Sequence, residues 1–498
     1  MIRQRLRHDE VESLSFLSTT TPAVPGEFTV VRFLLQSVSW AASCVVVWAA
    51  VAGPTPAAEV PSLWQRTAGV DWPCFLGPAG DGTSPEAGFF TDSGLRGAKI
   101  LWQRPLDSGY AMPSISRGRL FQFSTRGRLN RLECMRAETG EPLWSFEYPT
   151  DYEDLYGYGN GPRCCPVIDD DRVYIFGAEG MLHCLRAVDG TVVWKLDTTA
   201  RFGVIQNFFG VGSTPVIEGD LLIASIGGSP AVSKDVPPGR LDRVKGADSG
   251  VVAFDKRTGE VRYQFSDELA SYASPMLATI AGRRWGFMFA RGGLIGFEPA
   301  TGRQDFHFPW RATILESVNA SNPVVVGDEV LISETYGPGA ALLRVKPGGS
   351  EVVWSDDPKQ RRKILQTHWS TPIHHRGHVY ACSGRHTEGA ELRCIDWKTG
   401  DLKWSQPGLG RTSLLLVDGH FFCLTEAGGL FVFRANPDAY QSVGEIPLEA
   451  EQAGGPDGRR GLLRYPAWAA PILSHGLLFV RGADRLVCVE LARAPDGR

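Results

Sequence analysis

The sequence predicts an all-β fold, an eight-bladed β-propeller of four-stranded antiparallel blades. Pairing of the N- and C-terminal strands is expected to close it. Three observations point there. A strand entry of the form small-x-Pro recurs along the chain. A turn ending in Gly, with an aromatic four residues on in most copies, recurs in step with it. The last repeat stops one strand short, and a segment near the N-terminus has the sequence to supply that strand.

The entries are Met112-Pro113, Cys165-Pro166, Thr214-Pro215, Ser274-Pro275, Asn322-Pro323, Thr371-Pro372, Ser413-Leu414 and Ala470-Pro471. Their spacing runs from 42 residues (372 to 414) to 60 (215 to 275), which suits a four-stranded blade and exceeds a leucine-rich or helical repeat. After each entry come β-branched residues, a Gly/Asp turn and a second apolar strand, most plainly in "STPVIEGDLLIAS". The second half of the repeat appears as "CMRAETGEPLW", "CLRAVDGTVVW", "AFDKRTGEVRY", "GFEPATGRQDF", "LRVKPGGSEVVW" and "CIDWKTGDLKW". Its Gly supplies positive φ for the hairpin. Its aromatics, Trp144, Trp194, Tyr263, Phe306, Trp354 and Trp404, are expected to dock between blades. Blade 7 is degenerate there. In blade 8 "RLVCVEL" ends the sheet, and "AKILWQRPL" fits the missing strand, with Trp102 in the docking slot.

The domain reading follows: 1–53 a polar leader with a signal peptide or membrane anchor, 54–96 a lead-in, 97–498 the propeller. Residues 33–52, "FLLQSVSWAASCVVVWAAVA", have an apolar run after Arg32 and an Ala50-Val51-Ala52 cleavage-type triplet. The chain is therefore expected to be exported to the periplasm or cell envelope. Membrane contact would come only through this segment if it stays uncleaved. The long polar stretch before it suggests a later start near Val30 or Val31. The run continues past Cys44, which argues against lipidation there. Net charge of −4 with no basic stripe argues against nucleic acid. Gly 57, Pro 33 and Trp 14 suit short strands, tight turns and aromatic packing.

The docking phrase repeated around eight blades resembles the pyrroloquinoline-quinone (PQQ) repeat propellers. These include quinoprotein alcohol dehydrogenases and the BamB lipoprotein of the outer-membrane barrel assembly machine. "DWPCFLGPAGDG", "GYAMPSISRGRLF" and "PAWAAPILSHGLLFVRGADRLVCVEL" resemble bacterial envelope proteins of the BamB-like kind. The resemblance covers about residues 71–491 and implies two functions. One is a non-catalytic binding or assembly scaffold of the envelope. The other is a PQQ-dependent oxidoreductase using Ca²⁺.

The dehydrogenase reading needs hard oxygen ligands and a carboxylate base. Gly177-Ala178-Glu179 matches one ligand segment of those enzymes in letters, but it also reads as an ordinary turn with Glu179 solvated. Where they have Asn-Pro this chain has Ser229-Pro230, and no Trp-Asp pair occurs. Cys164–Cys165 invites comparison with their vicinal disulfide. Yet the pair enters a strand directly and aligns with Ser213-Thr214 and Ser370-Thr371, so a packing role is expected. Cys134, Cys184, Cys394 and Cys488 share one repeat position and read as packing residues. His374, His375 and His378 read as an exposed turn rather than a metal site. No catalytic residue, metal or cofactor is therefore expected, with PQQ and Ca²⁺ kept as the alternative.

Side chains just ahead of each entry converge on one end of the channel. There the sequence offers Tyr110, Tyr158, Asn160, Arg163, Asn207, Phe209, Tyr272, Asn319, His368, Trp369, Arg411 and Trp468. The expected partner is an envelope protein, or a small polar or anionic ligand, flat or sugar-like, held by stacking and two arginines. The chain is expected to be monomeric.

Overall fold

The computed structural model describes residues 60–357, 359–451 and 459–494. The leader, the apolar 33–52 segment and Cys44 lie outside the described residues. Eight blades of four antiparallel strands form the ring, the sheet of blade 7 gaining a short fifth, parallel strand: 114–149, 167–197, 216–265, 276–309, 324–355, 373–407, 412–446, and 472–491 completed by Ala98–Pro105. Among the described residues no helix is long and apolar enough to cross a membrane.

Blade 8 closes as the sequence predicts. Ala98–Pro105 pairs antiparallel with Arg485–Leu491, placing Trp102 opposite Cys488. The outermost strand of blade 8 thus comes from the other end of the chain, and the ring has no open end.

One lock repeats between blades. The indole N–H of Trp102 donates to the carbonyl of Ala137 in blade 1. Trp144 does the same to Ala187, Trp194 to Lys256, Trp354 to Trp397 and Trp404 to Asn436, while the Tyr263 hydroxyl donates to Pro299. In each case but the Trp404 lock, the accepting residue stands three positions before the turn glycine of the next blade. That glycine lies under the ring: a Cβ on Gly259 would come 2.8 Å from the Trp194 indole, and one on Gly190 2.6 Å from Trp144. The turn glycine therefore serves twice, giving positive φ and a seat for the neighbour's ring. The locking tryptophans are half-buried rather than fully buried, with one edge at the surface.

Opposite each aromatic, across the third and fourth strands, sits the small-residue slot. Cys134 pairs with Trp144, Cys184 with Trp194, Cys394 with Trp404, and a register shift follows each cysteine. These thiols are fully buried, and burial pushes them up to about 12, so they stay protonated. Phe306 has no donor and sinks deeper, into the core shared by blades 4 and 5. Its slot residue is accordingly Gly296, where any Cβ would meet the ring.

The strand entries form a belt around the channel. The backbone N–H of Cys165 donates to Thr214 Oγ1 (3.1 Å), that of Thr214 to Ser274 Oγ (2.9 Å), that of Ser274 to Asn322 Oδ1 (2.8 Å), and that of Asn322 to Thr371 Oγ1 (3.3 Å). This is why the entry calls for a small polar residue: it satisfies its neighbour's buried amide. Cys165 stands in this position, with the Met112 amide toward its sulfur. Cys164 faces blade 3 instead, its thiol donating to the Ser213 carbonyl (3.3 Å). Both are free thiols in different core clusters. At the entry of blade 8, Ala470 has no side chain to accept from blade 7. Between blades 8 and 1 a different contact is made: buried Arg481 donates to the carbonyls of Ala111 (2.7 Å) and Gly109 (2.6 Å).

The lead-in is a floor. Trp72 bridges to Ile115 of blade 1 and the Pro73 carbonyl accepts from Ile168 of blade 2. Gly80 passes Met276 of blade 4, Gly82 packs on Ile373 of blade 6, and Thr83–Ser84 runs parallel to Leu416 and Val417 of blade 7. The "DWPCFLGPAGDG" stretch thus crosses the channel at the end opposite the strand entries. Its exit is pinned by buried Glu86, which accepts from the amides of Val70, His475 and Gly476 and from Arg493.

Gly259→Ala and Gly282→Ala test the lock. Both glycines have φ near +77°, but nothing lies within 4 Å of a Cβ at Gly282. Gly282→Ala should cost roughly 1–2 kcal/mol from backbone strain alone. Gly259→Ala should cost about 2 kcal/mol more, because the Trp194 ring must move. Equal midpoints in urea unfolding would refute the seat. The belt predicts that a Cys164→Ser, Cys165→Thr variant unfolds within about 1 kcal/mol of wild type, since both replacements occur in other blades. A loss above about 3 kcal/mol would show that the thiols do more than pack.

Candidate functional site: a blind aromatic cup

Floored at one end, the central channel is a cup of about 690 Å³ that opens on the face of the strand entries. Phe75 and Leu76 of the lead-in form its base; Met112, Cys165, Thr214, Thr371 and Ser413 of the entries form its waist. Rings continue around the wall: Trp369 and Trp468 centroids are 5.0 Å apart, Tyr110 and Trp468 4.9 Å, Tyr158 and Phe209 5.9 Å, Phe209 and Tyr272 5.4 Å.

The loop before blade 2 is organised by Asp154, whose side chain is fully buried. Its Oδ1 accepts from the amides of Tyr156 (2.8 Å) and Tyr158 (3.2 Å), and its Oδ2 pairs with Arg163. This turn projects Tyr156 and Tyr158 to the mouth, 51% and 54% exposed. The Arg163 guanidinium lies 5.6 Å from the Tyr110 ring and 5.8 Å from that of Phe209. Arg411 repeats the arrangement across the cup. Its Nε and Nη2 both donate to Glu426 Oε2 (2.9 and 2.7 Å), and it lies 4.5 Å from the Trp369 ring. Burial opposes ionisation of Glu426, but the hydrogen bonds and charge of Arg411 outweigh it and hold the carboxyl below its ordinary range.

Of the sequence candidates, Tyr110, Tyr158, Arg163, Phe209, Tyr272, His368, Trp369, Arg411 and Trp468 line the cup. The three asparagines do not. Asn160 accepts from the Asp154 amide, Asn207 turns to a small cavity of about 30 Å³ between blades 2 and 3, and Asn319 donates to the carbonyls of Ala290 and Trp310. Each satisfies loop backbone, a task for which Asn is well suited. The expectation of arginines free for an anion also needs correction, since both are neutralised by buried carboxylates. His368 is half-buried and bonded to the Tyr336 hydroxyl (3.0 Å); desolvation first, then Arg411 and Arg385, depress it to about 3, so it is neutral. Tyr336, Arg385, His386 and Glu316 complete the rim and were not read from sequence. Tyr336, Arg385 and His386 lie on loops between second and third strands, outside the pre-entry segments.

The residues at the ligand positions that the resemblance implies for PQQ and Ca²⁺, Glu179 and Ser229, do not fit that group, because neither faces the cup. Glu179 is not solvated. It accepts from Tyr148 (2.9 Å), Asn130 (2.9 Å) and Thr150 (3.3 Å), and it borders the small cavity rather than the cup. Ser229 is buried and likewise does not line the cup. In the histidine turn, His374 Nε2 accepts from the Gly377 amide (3.1 Å).

The wall between blades 4 and 5 carries a buried carboxyl, Glu334, bonded to Ser317 (2.9 Å). Burial raises it to about 7. A folded-state value above the unfolded one means that its contribution is present below about pH 4.5 and lost as pH rises through about 7. Glu334→Gln should therefore gain stability over wild type at pH 8 and not at pH 4, read as the difference in denaturant midpoints. A pH-independent difference would contradict the burial of an ionisable Glu334.

The comparisons agree with this architecture. Among curated proteins none matches the sequence. Solved structures that share the fold include BamB from Moraxella catarrhalis and the quinohemoprotein alcohol dehydrogenase from Comamonas testosteroni. The first is 13% identical with a TM-score of 0.52, covering 80% of this chain and 99% of that one. The second is 13% identical with a TM-score of 0.57, covering 86% and 82%. The family model described as outer membrane protein assembly factor BamB matches residues 130–370 and 309–437. With more than half of its length matched, this chain belongs to the BamB-like family of PQQ-repeat β-propellers.

Proposed function

We propose that this propeller is a non-catalytic binding or assembly scaffold of the bacterial cell envelope, and that it recognises its ligand or partner in the blind cup. The observation that carries the reading is the state of the cup's charges. Asp154 and Glu426, the carboxylates packed behind its wall, are each committed to an arginine, so neither is placed as a free base, and Glu316 stands exposed at the rim. What remains is a preformed aromatic concavity on a rigid ring, suited to recognition. The family membership supports an envelope setting, and the misplacement of Glu179 and Ser229 speaks against quinone-dependent turnover.

A photo-crosslinking residue at Tyr158, at the mouth, should give a discrete adduct in envelope fractions. The same residue at Thr399, on an exposed turn of the opposite face, should not. Purified protein given PQQ and Ca²⁺ should reduce no dye with alcohols or sugars. Equal adducts from both positions, or PQQ-dependent turnover lost in Glu179→Gln, would overturn the reading.

A further inference from the structure

We propose that the cup binds an uncharged carbohydrate, its pyranose rings stacked on the wall formed by Tyr110, Tyr158, Phe209, Trp369 and Trp468. This rests on the cup being the recognition site and names its ligand class. Three chemical classes suit an aromatic concavity, and the electrostatics separate them. A cation would be drawn to the ring faces. Here the protein has already placed its own guanidinium groups on them: Arg163 near Tyr110 and Phe209, Arg411 near Trp369 and 5.4 Å from Trp468. A second cation would meet like charge.

An anion would need these arginines, but each is held by a buried carboxylate. Pulling either away would leave Asp154 or Glu426 buried without its partner, a large penalty. At the rim the exposed charges oppose each other, Arg385 and Glu316. The three arginines and three carboxylates around the cup thus balance, and Arg481 behind Tyr110 spends its guanidinium on two backbone carbonyls.

A neutral ligand with both C–H faces and hydroxyls fits what is left. Ring faces are the negative part of the aromatic quadrupole and attract weakly positive C–H groups. The mouth supplies tyrosine rings that carry a hydroxyl at one edge, while the hydroxyls of Thr214, Thr371 and Ser413 at the waist are already bonded to backbone. The volume of about 690 Å³ is within the span of small-molecule sites and favours an oligosaccharide end over a single ring. The floor makes the site blind, so a chain end enters and a polymer does not thread through.

The test uses the full chain with maltotetraose, cellotetraose and triacetylchitotriose, read by tryptophan fluorescence and calorimetry. Glucose 6-phosphate and tetramethylammonium are the charged comparators. At least one neutral saccharide should bind with Kd on the order of 1 mM or tighter. Tyr158→Ala removes an exposed ring and keeps the backbone carbonyl that accepts from Tyr110. Ala320→Trp fills the cup. Each should weaken binding at least about tenfold, which is about 1.4 kcal/mol, with the unfolding midpoint unchanged for Tyr158→Ala. No binding of any neutral saccharide at about 10 mM overturns the proposal. If a charged comparator binds instead and both variants abolish it, the carbohydrate class is wrong while the cup remains the site. If a saccharide binds equally to wild type and both variants, the cup is not its site, and both readings fall.

Discussion

The structure depends on one pairing: Ala98–Pro105 against Arg485–Leu491. At five of the eight seams an aromatic ring is seated on the next blade's turn glycine, and such a chain of contacts supports a ring only if it closes. Trp102 closes it, being both the fourth-strand aromatic of blade 8 and the ring that locks onto blade 1 through Ala137. Loss of that strand would open two sheet edges and unseat one lock together. The seam between blades 8 and 1 is also where Arg481 is buried to satisfy two carbonyls.

Closure alone would make a tube. The lead-in turns it into a cup, by running under the channel from blade 1 to blade 7 and ending at Glu86. Rigid ring, floor and mouth then divide the work. The locks and belt fix the positions of the strand ends, and the loops above them carry the aromatic wall. Arg163 and Arg411 hold that wall by lying on its rings while buried carboxylates cancel their charge, so the cup is polar in construction and close to neutral in character.

Much of this was legible in the sequence because it is periodic. The entries, docking aromatics, cysteine slot and exchanged strand all follow from one phrase repeated at blade length. Nine of the side chains read as facing the channel do line the cup. What was not legible is aperiodic. Asp154 and Glu426 neutralise arginines 9 and 15 residues away through loop geometry that no repeat encodes. Asn160, Asn207 and Asn319 look like ligand residues because Asn is equally fit to satisfy a loop's own backbone. Tyr336 and Arg385 lie on loops whose contribution to the mouth depends on how far they lean inward. The floor segment has no repeat partner and contacts blades far apart in sequence, so only the folded chain shows what it does.

Hydrogen exchange of the full chain tests the central claim, that terminal strand, floor and blades are one cooperative unit. The amides of Ala98–Pro105, of Trp72 at the floor and of Arg283–Phe289 inside blade 4 should exchange with the same opening free energy, shifting together as urea is added. Exchange of the terminal strand and floor through a local opening, while blade 4 stays protected, would contradict it.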